Sequence, residues 1–228
     1  MGVISGELMH IAEEGNLVGR DGKFETQRRN IGKAYGCANE IREASKDGIA
    51  SLERGDGENA TQCWIDMERT WQVLCGLDLP ADILWQHMSE AGQEYAEFVF
   101  VGLLYPQIRN EPVSNPELPT PQKLGISPQT WMAGLGDAAS ELSKMTMGLL
   151  LSADLNGDQR VAIRRRFLAV AGEIYYFLDK FETVYGQVIN NSRRRGFGNT
   201  FRGVVHRVKR VMEIHQEALV AYLDRTAK

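Results

Sequence analysis

The sequence lacks the features that mark membrane, disulfide-rich and zinc-binding proteins. It contains no apolar run of about 18 residues, the length at which a membrane-spanning helix becomes the expected structure. Its three cysteines, Cys37, Cys63 and Cys75, have no metal-ligand spacing, and their odd number argues against a disulfide framework and fits a reducing compartment. The four histidines are scattered, which argues against a zinc site. These absences predict a cytoplasmic protein with no membrane partner.

The chain also lacks the alternation of apolar and polar residues that is typical of strands, whereas the helical period recurs along most of its length. The periodicity predicts long helices at about residues 24–54, 59–75, 81–105, 128–152, 158–189 and 200–226. Six of the seven prolines fall between Pro106 and Pro128, and this density predicts a loop at 106–127. Ser127 and Pro128 then supply the N-cap and the first residue of the next helix.

Together these elements predict an all-α protein that forms one domain over residues 1–228, built as a single bundle of about six to seven long helices. The segment from Phe98 to Leu104 is apolar on all sides, and the chain has four tryptophans in long helices. One layer of about six helices would leave part of this apolar surface exposed to solvent. Large exposed apolar patches mark interfaces. We therefore expect an oligomer.

Charge is distributed unevenly along the chain. The net charge is −4, but the stretch from Arg160 to Arg210 holds 12 basic and three acidic residues, a local charge of +9, which leaves −13 for the remainder. Such an asymmetry indicates either a surface that faces a polyanion or a solvated helix face with salt bridges between subunits. The candidate phosphate-binding residues are Arg193, Arg194, Arg195 and Arg202, followed along the last helix by Arg207, Lys209 and Arg210. Phe197 and Phe201 lie among them and could stack on bases or belong to the core.

Two pairs of acids lie in helical stripes of apolar or small residues, where acids are uncommon. Glu94 and Glu97 are three residues apart, and Asp137 and Glu141 are four apart, so each pair shares one helix face. A buried carboxylate without a partner is costly and is usually protonated or bound to a cation. Four carboxylates without nearby cysteine or histidine favour Mg²⁺ or Mn²⁺, and we expect all four to converge on one such site.

The bound metal would activate water for phosphodiester hydrolysis, with one acid free to act as the general base. The sequence does not determine which of the four acids would be the general base. The alternative is that the acids form salt bridges with basic residues of neighbouring helices, for which Arg42, Lys46 and Arg160 are candidates. Gly134 and Gly148 flank the second acid pair and would let another helix approach closely.

Two segments resemble a known family. Glu94-Tyr95-Ala96-Glu97 is similar to the Glu-Tyr-x-Glu motif of the translin superfamily, and the segment Gly134–Leu142 is similar to its Gly-x-x-Asp-Leu-x-Gly-Glu-Leu motif. The order of the helices from Phe24 to Leu223 also agrees, whereas residues 1–22 form an N-terminal extension that matches poorly. The chain most closely resembles the translin-associated factor X (TRAX) branch of this superfamily.

The resemblance implies a translin-like helical fold that assembles into a hollow, octamer-like oligomer. It implies a Mg²⁺-dependent endoribonuclease that cleaves single-stranded RNA, with single-stranded DNA as a further candidate ligand. The catalytic and metal-binding residues would be Glu94, Glu97, Asp137 and Glu141. The assembly would be a homo-oligomer or would include a translin-type partner subunit. Two alternatives stay open: a translin-type module that binds nucleic acid without cleaving it, and a helical assembly protein whose acids form salt bridges.

Overall fold

The structure is a computed structural model that describes residues 21–112, 117–191 and 197–226. These residues form helices joined by short turns, and none of them is in a strand. None of the described helices is long and apolar enough to cross a bilayer. The helices in chain order are α1 (Asp21–Arg54), α2 (Gly57–Cys75), α3 (Ala81–Arg109), α4 (Pro121–Leu124), α5 (Pro128–Leu150), α6 (Gly157–Asn191) and α7 (Phe197–Thr226).

The all-α prediction is confirmed, and the helix ends follow from identifiable capping residues. Gly55 ends α1 with a φ of +76°, a left-handed conformation that glycine adopts without steric cost. The Asp56 side chain then accepts a hydrogen bond from the Asn59 amide and caps α2. Ser127 caps α5 in the same way and Pro128 follows it, as the sequence predicts.

The predicted loop at 106–127 ends where α5 begins, as expected, but it starts too early and contains a short helix. Helix α3 continues through Pro106 to Arg109, and Asn110 then caps it in a left-handed conformation. Burial explains this continuation, because Tyr105 and Ile108 both lie in the core and hold the last turn against it. Near the other end, Pro121 begins the short helix α4 instead of breaking the chain.

The start of the last helix also differs from the prediction. Helix α7 begins at Phe197, three residues before the predicted start at about residue 200, so Phe197 and Gly198 are helical. The predicted phosphate-binding residues Arg193, Arg194 and Arg195 lie outside the described residues. Phe201 is buried against the core, which agrees with its interpretation as a core residue.

The core is organised around α3 and α5. Helix α3 packs against α1, α5 and α6, and α5 packs against α3, α6 and α7. The apolar segment Phe98–Leu104 lies at the centre of this arrangement, with Phe98, Val99, Phe100 and Val101 all buried within the chain. The segment therefore gives no evidence for a subunit interface, and the expected oligomer cannot be argued from it.

Two glycines of α5 allow neighbouring helices to approach closely. A Cβ atom on Gly134 would lie 2.7 Å from the Cβ of Ala96 and 2.9 Å from the Gln93 carbonyl oxygen, both on α3. A Cβ atom on Gly136 would lie 2.0 Å from Cγ1 of Val204 on α7. The third glycine, Gly148, is exposed, and its Cβ would meet only the flexible end of a glutamate side chain. The prediction of close approach is thus correct for Gly134 and wrong for Gly148.

We expect Gly134→Ala to destabilise the protein and Gly148→Ala to leave it unchanged or slightly more stable. The first substitution forces a methyl group into the backbone of α3, and overpacking of this kind costs about 1–3 kcal/mol. The second replaces an exposed helical glycine by the best helix former, a gain of up to about 1 kcal/mol. Urea unfolding of both variants would test this. Equal effects at the two positions would contradict the packing described for Gly134.

A buried polar contact joins α5, α6 and α7. His215 of α7 is fully buried, its Nε2 atom lies 3.1 Å from Oγ of Ser143 on α5, and its ring packs on Phe167 of α6 with a centroid distance of 4.1 Å. Burial, together with the positive charge of Arg164, lowers the pKa of His215 to about 4. The imidazole is therefore neutral at pH 7.

This histidine should make the folded protein sensitive to acid. Its pKa is about 4 in the folded state and about 6.5 when unfolded, so its contribution to stability is complete above pH 6.5 and is lost as the pH falls towards 4. The loss is on the order of 3 kcal/mol. Urea unfolding between pH 4 and 7.5 should show a weaker pH dependence for His215→Gln than for the wild type. The exposed His206 of the same helix gives the control His206→Gln, and identical slopes in all three proteins would contradict the assignment.

Candidate functional site

The four acids singled out in the sequence lie on the facing sides of α3 and α5. Glu94 and Glu97 come from α3, and Asp137 and Glu141 come from α5. The contact of Gly134 with the α3 backbone brings the two pairs together, since a Cβ atom there would lie 3.1 Å from the Glu97 amide nitrogen. These four residues are called the acidic cluster below.

Glu97 is the most perturbed member of the acidic cluster. Burial, together with the negative charges of Asp137, Glu94 and Glu141, raises the pKa of its carboxyl group to about 8. The positive charge of Lys144 opposes these effects only in part. Because all three other acids act on Glu97, the structure brings both pairs to one place, as the spacing predicts. A carboxyl group with this pKa carries its proton for most of the time at pH 7.

Glu94 lies between the acidic cluster and the basic residues of α1. Burial raises the pKa of Glu94, the positive charges of Arg42 and Lys46 lower it, and Asp137 raises it again. The Ser45 hydroxyl donates a hydrogen bond of 3.1 Å to the Glu94 carbonyl oxygen, which fixes α1 against α3 at this point. Two basic side chains of α1 therefore face the side of the cluster that Glu94 occupies.

Asp137 is bound on both of its oxygens by side chains from two different helices. Its Oδ1 atom accepts a hydrogen bond of 2.8 Å from Nη2 of Arg207 on α7, and its Oδ2 atom accepts one from Nε2 of Gln93 on α3. Glu141 accepts a hydrogen bond from Nζ of Lys144, one turn further along α5. Two of the four acids are thus paired with a cation of this chain.

The donor chemistry of the acidic cluster suits a hard divalent cation, but the side chains are not arranged around one. Among the described residues, no three His, Cys, Asp or Glu side chains form a group that could hold a metal ion. At this site Arg207 and Gln93 bind Asp137, and Lys144 binds Glu141. Mg²⁺ would require carboxylate oxygens at about 2.1 Å. Arg207 would therefore first have to release Asp137, and Lys144 would have to release Glu141.

The direct basic partners of the acids differ from those proposed from the sequence, although the positive charges of Arg42 and Lys46 act on Glu94. Arg42 pairs with the exposed Glu90 at 3.8 Å, and Lys46 pairs with Glu43 at 4.0 Å. The guanidinium of Arg160 donates to the Ser152 carbonyl oxygen. The three candidates therefore have other partners. Lys144 could have been found from its spacing of three residues to Glu141, whereas the bond from Arg207 crosses 70 residues and leaves no local signal.

The predicted nucleic-acid-binding residues are only partly described. Arg193, Arg194 and Arg195 lie outside the described ranges, as does the side chain of Phe197, so their roles stay predictions. Arg202 lies on α7 and is exposed, as are Arg207 and Lys209 of the same helix. The exposed side of α7 is therefore basic where it passes the acidic cluster.

Comparison with known proteins identifies the fold. No protein-family model matches the chain, and no curated protein matches it. The structure of apo-NeC3PO is similar, with a TM-score of 0.69, 15% sequence identity, and coverage of 91% of this chain and 97% of that chain. AfC3PO, alone and in complex with duplex RNA, is similar with a TM-score of 0.61, at 20% and 19% identity, over 89% of this chain and 97% of those chains. The translin-like fold that the sequence resemblance implies is therefore confirmed.

The acidic cluster should make the metal-free protein less stable as the pH rises. The folded state keeps a proton on Glu97 that the unfolded chain releases above its ordinary pKa of 4.5, so stability falls between pH 4.5 and about 8. The neutral variant Glu97→Gln avoids this loss. Its melting temperature relative to the wild type, measured with a chelator present, should therefore increase from pH 5 to about pH 8 and then level off.

A matched control is Glu90→Gln, which changes an exposed acid of the same helix. Its melting temperature should differ from the wild type by a similar amount at every pH. A constant difference for Glu97→Gln as well would show that Glu97 ionises normally in the folded protein.

Proposed function

We propose that this chain is a translin-type, TRAX-like ribonuclease subunit that cleaves RNA with a divalent metal ion held by the acidic cluster. The observation that carries the proposal is the environment of Glu97, a partly buried carboxyl group on which the negative charges of three further acids act. A structural role does not require four acids in one place, because burying one unpaired carboxylate already costs stability. A divalent cation would offset this accumulated negative charge.

The ligands of this cation would be Glu94, Glu97, Asp137 and Glu141. Their all-oxygen donor set suits Mg²⁺ or Mn²⁺. When bound, such an ion lowers the pKa of a water molecule and neutralises charge on a phosphoryl oxygen. The remaining chemistry belongs to the chain: an acid that is not a ligand can take the proton of the attacking water, and the basic side chains at the rim can hold the phosphodiester.

The basic rim is the feature that selects a nucleic acid. Arg207 and Lys144 border the acidic cluster, Arg42 and Lys46 face it from α1, and Arg202 extends the basic surface along α7. Phosphate contacts of this kind supply most of the affinity for a nucleic acid without reading its sequence. The AfC3PO structure with duplex RNA shows that a protein of this fold binds RNA. We propose single-stranded RNA as the substrate, and single-stranded DNA as a further ligand.

The chain would act in the cytoplasm as part of an octamer-like oligomer of its own copies or with a translin-type partner subunit. Apolar side chains on the outside of the described chain support such an assembly, because isolated subunits seldom expose many large ones. The exposed examples on α7 are Ile214, Val220 and Leu223. Free cysteines at positions 37, 63 and 75 agree with a reducing compartment.

A second candidate function is nucleic-acid binding without cleavage. The ion pairs of Asp137 with Arg207 and of Glu141 with Lys144 favour it, because they neutralise two acids without a metal ion. In that case the acidic cluster would position basic residues for phosphate binding. Both candidates predict RNA affinity that falls with salt, and only the first predicts cleavage.

Cleavage of labelled RNA by the purified protein tests the proposal. We expect single-stranded RNA to be cut with Mg²⁺ or Mn²⁺ and to stay intact with a chelator, with duplex RNA and single-stranded DNA as comparison substrates. Glu97→Gln and Asp137→Asn should each reduce the rate by roughly 100-fold or more, since changes even outside the ligand shell cost about 10–100-fold. Glu58→Gln, an exposed acid on α2, should cleave like the wild type.

Each result separates the candidates. Salt-dependent RNA binding without cleavage would support the binding module and reject the nuclease. Wild-type cleavage by both acidic-cluster variants would show that the activity resides elsewhere. No RNA binding at low salt would reject both candidates.

A further inference from the structure

We propose that Arg207 is a gate on the acidic cluster: it covers Asp137 until a phosphate of the bound nucleic acid draws its guanidinium away, and Asp137 then becomes available to the metal ion. This inference rests on the proposed function. It explains why the described acids are not arranged around a cation, and it makes metal binding depend on the presence of substrate. Arg207 is here a positioning residue, because it acts through Asp137.

The position of Arg207 follows from the helix packing. Gly136 lets α7 approach α5 so closely that a Cβ atom would lie 2.0 Å from the side chain of Val204. Asp137 follows Gly136 directly, and Arg207 lies one turn after Val204 on the same side of α7. The contact therefore places the guanidinium beside the carboxylate, where the Nη2–Oδ1 distance is 2.8 Å. The ion pair is a consequence of how α5 and α7 dock.

The bond is weak enough to exchange. The Arg207 side chain is 55% exposed and that of Asp137 is 25% exposed, so the pair lies at the rim of the site. Ion pairs with this exposure contribute little to stability. A phosphodiester can accept two hydrogen bonds from one guanidinium, which is a contact of at least similar strength. A nucleic acid that reaches the rim can therefore take Arg207 from Asp137 at little cost.

Gln93 keeps Asp137 in place when Arg207 leaves. Its side-chain amide donates to Oδ2, the oxygen that Arg207 does not bind, and it is anchored on α3 beside Glu94 and Glu97. The released carboxylate thus stays directed towards the other acids and presents Oδ1 to a cation. Lys144 is not proposed as a second gate, because it lies on the same helix as Glu141 and its ion pair involves no second helix.

The gate predicts that nucleic acid and metal ion strengthen each other's binding. When the Arg207 guanidinium moves to a phosphate, it no longer competes with the metal ion for Asp137. When a metal ion binds Asp137, the guanidinium is released and can bind a phosphate. By thermodynamic linkage, the nucleic acid raises the affinity for the metal ion by the same factor as the metal ion raises the affinity for the nucleic acid. Without Arg207 the acidic cluster should bind metal more tightly in the absence of nucleic acid, and this factor should approach one.

The test compares Arg207→Gln with the wild type and with Arg210→Gln. Arg210 is an exposed arginine of the same helix that pairs with Glu213 at 3.6 Å, so its removal deletes the same charge without touching Asp137. Mn²⁺ affinity is measured by electron paramagnetic resonance, with and without a single-stranded 2′-O-methyl oligoribonucleotide, which is chosen to resist cleavage. Thermal melting verifies that each variant is folded.

We expect the oligonucleotide to tighten Mn²⁺ binding several-fold in the wild type and in Arg210→Gln. In Arg207→Gln, Mn²⁺ should bind several-fold more tightly than in the wild type when no oligonucleotide is present, and the oligonucleotide should add little. Unchanged or weaker Mn²⁺ binding by Arg207→Gln alone, or an unchanged gain on adding the oligonucleotide, would overturn the gate. If the wild type binds no Mn²⁺ under either condition, both the gate and the metal-dependent function are overturned.

Discussion

The close packing of α5 between α3 and α7 is the constraint on which the rest of this structure depends. Gly134 admits the backbone of α3 and Gly136, two residues later, admits α7, so the helix is approached from both sides within one turn. Asp137 lies at this point and is bound by Gln93 from one side and by Arg207 from the other. The acidic cluster and its basic rim are both results of this packing.

The acidic cluster that the proposed function requires lowers the stability of the metal-free protein. Burial and mutual repulsion make Glu97 hard to ionise, and His215 in the adjacent helix contact is equally hard to charge. The two groups act in opposite directions, since the first favours the folded state at low pH and the second favours it at high pH. Ion pairs at Asp137 and Glu141 limit the cost of the remaining acids. Sites built for charged ligands often carry such a cost when the ligand is absent.

Much of this structure could be predicted from the sequence because its signals are local. Helical periodicity located the six long helices, and the unusual setting of Glu94, Glu97, Asp137 and Glu141 identified the acidic cluster. The errors arose where tertiary contacts decide the outcome. Burial of Ile108 carries α3 past Pro106, and the apolar run at Phe98 is covered by the chain itself. The ion pair of Arg207 with Asp137 was missed because only helix docking brings the two residues together.

The two glycines of α5 also affect how this protein would respond to random substitution. A collection of variants selected only for loss of RNA cleavage would contain changes at Gly134 and Gly136 alongside changes at the carboxylates, although glycine has no side chain with which to bind a metal ion or a phosphate. A methyl group at Gly134 would press on the α3 backbone at Glu97, and one at Gly136 would press on Val204, one turn before Arg207. Loss of activity therefore identifies a residue that sets the helix packing as readily as a residue that takes part in the reaction.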